Sequence, residues 1–89
     1  MTPLEQAEKL LTDLVSFPTV TGLPNGDMIA YIKTYLENLD IPVMLDAHED
    51  GVRFNLFASI GPGQCDGIIL SGHTDVVPAT GDGWSRDPF

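Results

Sequence analysis

The chain is poor in several things that would narrow its class, and each shortage excludes something. It has one cysteine, Cys65, so no internal disulfide can staple it. It has four basic residues, Lys9, Lys33, Arg53 and Arg86, scattered along 89 positions against 13 acidic ones. A net charge of −9 without a basic cluster argues against a phosphate-backbone partner, so no nucleic acid is expected. No apolar run approaches the ~20 residues needed to span a bilayer, so no membrane partner is expected either. The start, Met1-Thr2-Pro3-Leu4-Glu5, is acidic and lacks a basic segment followed by an apolar one, so it does not read as a signal peptide. Together these point to a reducing, cytoplasmic setting. Internal repeats and low-complexity tracts are absent. At this length a domain buries only roughly 60–65% of its unfolded surface, so its core is marginal.

What remains is ordered punctuation. Thr2 reads as an N-cap, Pro3 as the first helical residue and Glu5 as the partner in a capping box. Leu4, Ala7, Leu10, Leu11, Leu14 and Val15 follow at helical spacing, predicting a helix to about Ser16. Phe17 to Pro24 carries two prolines and a glycine and reads as a loop. Asn25 is a candidate cap for a second helix, with Asp27 in its first turn. Ile29, Ile32, Leu36 and Leu39 form that helix's apolar stripe, which should stop between Asn38 and Asp40.

Three strands are then expected. Val43-Met44-Leu45 is the shortest. In Val52 to Ile60, Val52, Phe54, Leu56, Ala58 and Ile60 alternate with Arg53, Asn55, Phe57 and Ser59, the period of a half-buried strand. The polar link Asp46 to Gly51 is short enough for an antiparallel hairpin. Gly61 to Gly67 reads as a turn. Ile68-Ile69-Leu70 shows no alternation, which predicts a strand covered on both faces. Such a strand needs neighbours that the rest of the chain hardly provides, so exposed apolar surface is expected. Ala79 to Phe89 is loop chemistry. The order suits an α/β fold.

The chemistry concentrates just past that last strand, in Ser71-Gly72-His73-Thr74-Asp75-Val76-Val77-Pro78. Open α/β sheets place ligands at the C-terminal ends of strands. In an extended segment residues i and i+2 point the same way, so His73 and Asp75 can share a pocket. A neutral imidazole is a common zinc ligand, and a nearby carboxylate can orient it. Gly72 would let a backbone or ligand approach closely. By spacing alone, H-x-D fits a satisfied structural histidine as well as a ligand. One histidine cannot hold a catalytic zinc, which takes three protein ligands. His48, Cys65, Asp66 and Asp82 do not complete a recognised set with His73. His48 reads as solvated among charged turn residues, and Cys65 as a plain turn thiol.

The longer string is more specific. Ser71 to Pro78, followed by Gly83-Trp84-Ser85-Arg86-Asp87-Pro88-Phe89, resembles the metal-dependent amidohydrolases and metallopeptidases that include acetylornithine deacetylase, succinyl-diaminopimelate desuccinylase and aminoacylase. Phe54 to Gly63 and Leu14-Val15-Ser16-Phe17-Pro18-Thr19-Val20 add to the likeness, which spans the whole chain and leans toward the acetylornithine deacetylases. The resemblance implies that residues 1–89 are the N-terminal portion of a three-layer α/β/α catalytic domain with a mixed sheet. It implies two zinc ions, replaceable by cobalt, with His73 as a metal ligand and Asp75 as the active-site residue that orients it. It implies hydrolysis of a small-molecule N-acyl amino acid, as in deacetylation of N-acetylornithine for arginine biosynthesis. Desuccinylation, or a dipeptidase or aminoacylase activity, is the alternative. The remaining ligands, the general base and the dimerisation domain of a homodimeric parent would lie beyond Phe89. An inactive fragment or an acidic interaction module is the reading of another class.

Overall fold

In the computed structural model, which describes residues 1–63 and 66–89, two helices precede an antiparallel hairpin: α1 (Pro3–Val15), α2 (Gly26–Glu37), β1 (Val43–Ala47) and β2 (Phe54–Ala58). The fold is of the α/β class. The capping box forms as its residues require. Glu5 N donates to Thr2 Oγ1 at 3.1 Å, and Thr2 N donates back to Glu5 Oε1 at 3.3 Å. Helix α1 ends at Ser16, just before the loop of Pro18. It buries none of its residues, and Leu4, Leu11 and Val15 stay exposed. It meets α2 through Tyr31, whose hydroxyl donates to Asp13 Oδ2 at 2.6 Å and whose ring lies 5.7 Å from that of Phe17.

Helix α2 supplies Met28 and Ile29, the two buried hydrophobic residues among the described ones. It packs on the hairpin face carrying Phe54, Leu56 and Ala58, which are half-buried while Asn55 and Phe57 are exposed. The alternation holds over 54–58, but the strand is shorter than the expected Val52 to Ile60, and both of those end residues are exposed because the pairing with β1 stops at Phe54 and Ala58. The register pairs Val43 with Ala58, Leu45 with Leu56 and Ala47 with Phe54. In the connecting turn Gly51 adopts φ +72°, a conformation that costs glycine little. Asp50 Oδ1 accepts from Val52 N at 3.0 Å and Arg53 N at 3.1 Å, closing the turn.

Asn25 occupies the N-cap position of α2, but its side chain does not cap. Its amide turns to β2 instead. Phe54 N donates to Asn25 Oδ1 at 2.8 Å, and Asn25 Nδ2 donates to Phe54 O at 2.9 Å. One side chain thus mimics a neighbouring strand, satisfying both backbone groups of Phe54. An amide carries the donor and acceptor this needs.

The expected third strand is not formed. Residues 68–70 have no regular structure, and Ile68, Ile69 and Leu70 are 91%, 82% and 94% exposed. A strand is defined by ladder bonds to a neighbour, and no ladder partner lies beside this segment among the described residues. The turn expected at 61–67 shows Gly61 at φ +108° and Gly63 at φ +71°. Gln64 and Cys65 lie outside the described residues. The radius of gyration, 15.3 Å, exceeds the ~12 Å of a compact domain of this length. The uncovered apolar surface expected from the sequence is present, from Leu4 to Trp84.

Two outcomes follow. Asn25→Ala strips both partners from Phe54, and its half-buried setting puts the cost at about 1–2 kcal/mol. A lower urea midpoint and faster exchange of the Phe54 amide are the readouts; wild-type values for both would mean the amide does not hold the junction. Asp50 is held at about 2, first by the Val52 amide and then by Arg53. Its folded value lies below the ordinary carboxylate value of ~3.9. Its stabilisation is therefore complete above that ordinary value and lost as pH falls through about 2. The Val52 amide resonance should titrate with that low midpoint, and a midpoint near an ordinary carboxylate would contradict the turn geometry.

Candidate functional site

The segment 73–76 is held by the loop between the helices. Val20 and Val76 pair in parallel: Val76 N donates to Thr19 O at 3.0 Å, and Thr21 N donates to Val76 O at 3.0 Å. The β-branched run Thr19-Val20-Thr21 suits an extended conformation. Thr19 is buried, 4% exposed, and its hydroxyl donates to Thr74 O at 2.6 Å. Asn25 Nδ2 also approaches Thr74 Oγ1 at 3.4 Å. Gly22, at φ +89°, turns the chain away after this pairing.

On this short ladder His73 and Asp75 come together as the i, i+2 spacing predicts. His73 Nδ1 lies 2.9 Å from Asp75 Oδ1 and 2.9 Å from the Asp75 backbone oxygen. Both are acceptors, so Nδ1 carries the hydrogen. In the neutral ring that leaves the Nε2 lone pair free. Thr21 Oγ1 donates to the other carboxylate oxygen, Asp75 Oδ2, at 2.7 Å. That bond holds the Asp75 carboxyl below the usual carboxylate range, against a smaller opposing effect of desolvation, and the His73 ring adds to the lowering. Asp75 is therefore an ionised acceptor at neutral pH.

The pair lines an open cleft of about 790 Å³, whose other walls include Ile29 and Ile32 of α2, Leu56 of β2, and His48, Glu49 and Arg53 of the hairpin turn. His48 and His73 share the cleft without forming a ligand set. Among the described residues no three His, Cys, Asp or Glu side chains cluster closely enough to hold a metal ion. The pair offers one imidazole nitrogen with a carboxylate behind it. Asp66 and Asp82 do not join the pair, and Cys65 lies outside the described residues. The close approach expected at Gly72 is not seen: a Cβ there would meet nothing within 4 Å. The pair sits on a loop-to-loop pairing and not at the end of a sheet strand.

Thr19, Thr21 and Asn25 are site residues that the sequence did not announce. The signal was present in Pro18-Thr19-Val20-Thr21-Gly22, a β-branched run between a proline and a glycine. It reads as a loop until its partner 55 residues away is known.

No protein-family profile and no solved structure match the chain. Curated proteins do. An acetylornithine deacetylase of Buchnera aphidicola subsp. Schizaphis graminum is 31% identical over 87 residues, covering 91% of this chain and 23% of that protein. An acetylornithine deacetylase of Shigella sonnei is 40% identical over 67 residues, covering 73% of the chain and 17% of that protein. A succinyl-diaminopimelate desuccinylase of Ehrlichia canis is 39% identical over 85 residues, covering 91% of the chain and 22% of that protein. The chain spans about a fifth of the length of the curated relatives it matches.

Thr19→Val keeps the shape and removes the buried hydroxyl, leaving Thr74 O without its donor. The cost is about 1–2 kcal/mol, so exchange of the Val76 amide should quicken about tenfold. An unchanged rate would show that the backbone pairing holds without Thr19.

Proposed function

We propose, from the chain's membership of the family of the acetylornithine deacetylases and succinyl-diaminopimelate desuccinylases, that it is part of an enzyme hydrolysing the amide bond of an N-acyl amino acid. N-acetylornithine, split to ornithine and acetate, is the first candidate substrate, and an N-succinyl amino acid is the second. The observation that carries the reading is the His73–Asp75 pair, with Nδ1 engaged at 2.9 Å and Nε2 left free, on the wall of a cleft.

In this reading His73 is a ligand, through Nε2, to one of two zinc ions. Asp75 accepts from Nδ1, fixes the ring's orientation and raises its basicity, as carboxylates behind ligating histidines do. Bound zinc would supply Lewis acidity toward the amide carbonyl and toward water. The cleft walls offer apolar contact from Ile29, Ile32 and Leu56, and charged groups from Glu49 and Arg53, for the substrate's aliphatic and polar parts. The remaining ligands and the general base would come from a longer chain, of which these residues form the N-terminal part of a three-layer α/β/α catalytic domain. There residues 68–70 would find their sheet neighbours. The parent would be a cytoplasmic homodimer serving amino-acid biosynthesis. Among the described residues no helix is long and apolar enough to cross a membrane.

The test has two arms. The 89-residue chain alone, with zinc or cobalt, should release no acetate from N-acetylornithine above background, because it offers one ligand. In the longer protein His73→Ala should remove one metal and nearly all activity. Asp75→Ala should keep most of the metal and lower the rate about 10–100-fold. Two metals retained in the His73→Ala protein would refute the ligand assignment.

A further inference from the structure

We propose that Thr21 is a positioning residue that locks the Asp75 carboxylate against His73 and so, beside the Asp75 backbone oxygen, biases which ring nitrogen is left bare. The inference deepens the proposed function and rests on it for its catalytic meaning, while the geometry stands by itself. A carboxylate bound through one oxygen turns about its last bond. Here both oxygens are engaged: Oδ1 lies 2.9 Å from His73 Nδ1, and Oδ2 accepts from Thr21 Oγ1 at 2.7 Å. Two bonds on two oxygens fix the plane.

The need for such a lock follows from exposure. The His73 side chain is 85% exposed and that of Asp75 52%. A histidine–carboxylate contact at such a surface holds weakly without help. Thr21 is the better-anchored partner. Its backbone N donates to Val76 O at 3.0 Å, its neighbour Thr19 is buried, and its branched side chain has few rotamers. The hydroxyl also faces Val76 O at 3.3 Å, but the ionised carboxylate at 2.7 Å is the nearer and stronger acceptor for its single hydrogen. Order thus passes from the Val20–Val76 pairing to Thr21, then to Asp75, then to the ring. A free neutral imidazole favours hydrogen on Nε2, the opposite of what an Nε2 ligand requires. Thr21 counters that preference through the carboxylate it holds.

The experiment is nitrogen-15 spectroscopy of the His73 ring in the metal-free 89-residue chain in mildly alkaline solution. The wild-type ring should be mostly in the Nδ1–H form. Thr21→Ser keeps the hydroxyl and should match it. Thr21→Val keeps the shape and should shift the ratio roughly three- to tenfold toward the Nε2–H form, the loss of one charge-assisted bond at an exposed site. The Val76 amide reports whether the pairing survives each change. A wild-type ring mostly in the Nε2–H form overturns the proposal without any variant. So does a Thr21→Val ring unchanged from wild type, or a Thr21→Ser chain that keeps the pairing and loses the tautomer. If Thr21→Val unpairs Val76, the wild-type and Thr21→Ser spectra decide. The measurement needs no zinc and no substrate, so its failure leaves the amidohydrolase reading standing. A longer protein inactive on N-acyl amino acids with this tautomer intact would sink that reading alone.

Discussion

The site depends on one short pairing, in which residues 19–21 grip residues 74–76. Two backbone bonds at 3.0 Å form the ladder. The Thr19 hydroxyl, at 2.6 Å from Thr74 O in a buried position, fastens it. That bond is shielded from competing water, which is why it outweighs the exposed pairs nearby. Lys9 with Asp13 and Lys33 with Glu37 are i, i+4 contacts on exposed helix faces and contribute little. Losing either would loosen a helix surface. Losing the Thr19 bond would loosen the segment carrying His73 and Asp75.

Asn25 connects this pairing to the rest. Its amide satisfies both backbone groups of Phe54 and approaches the Thr74 hydroxyl. The hairpin, the start of α2 and the His73 segment therefore meet at one side chain. The core beneath is small, since among the described residues Met28 and Ile29 are the buried hydrophobic ones. Polar bonds of defined geometry do here part of what apolar packing does in a larger domain.

Local rules made much of this legible in the sequence. The Thr2–Glu5 box and the end of α1 before Pro18 stand as read, and so do the stripe of α2 as far as Leu36 and the strand alternation within 54–58, because each depends on neighbours a few residues away. The i, i+2 spacing of His73 and Asp75 is equally local, and so is their contact. What failed was long-range. Asn25 looks like a helix cap because a cap is the commonest use of an asparagine there, yet its amide serves a strand 29 residues on. Ile68-Ile69-Leu70 has the composition of a buried strand, but composition states a preference for cover and cannot provide the neighbour. The Thr19–Thr74 and Thr21–Asp75 bonds span 55 and 54 residues, beyond any periodicity.

The failure at 68–70 separates two properties that the sequence had joined. Ligand-bearing residues at the end of a strand are usually thought to inherit their order from the sheet. Here the strand is unformed and its side chains stand in solvent, yet the His73 ring is still engaged at 2.9 Å by a carboxylate that Thr21 also holds. The orientation of the imidazole therefore does not require the sheet. It comes from a loop contributed by the first quarter of the chain, fixed by two threonines and a parallel pairing. A sheet neighbour added along 68–70 would satisfy backbone groups and cover three apolar side chains upstream of the pair, without having to re-aim it. The two tasks fall on different contacts. Residues 68–70 carry the demand for cover, and residues 19–21 carry the geometry of the His73–Asp75 pair.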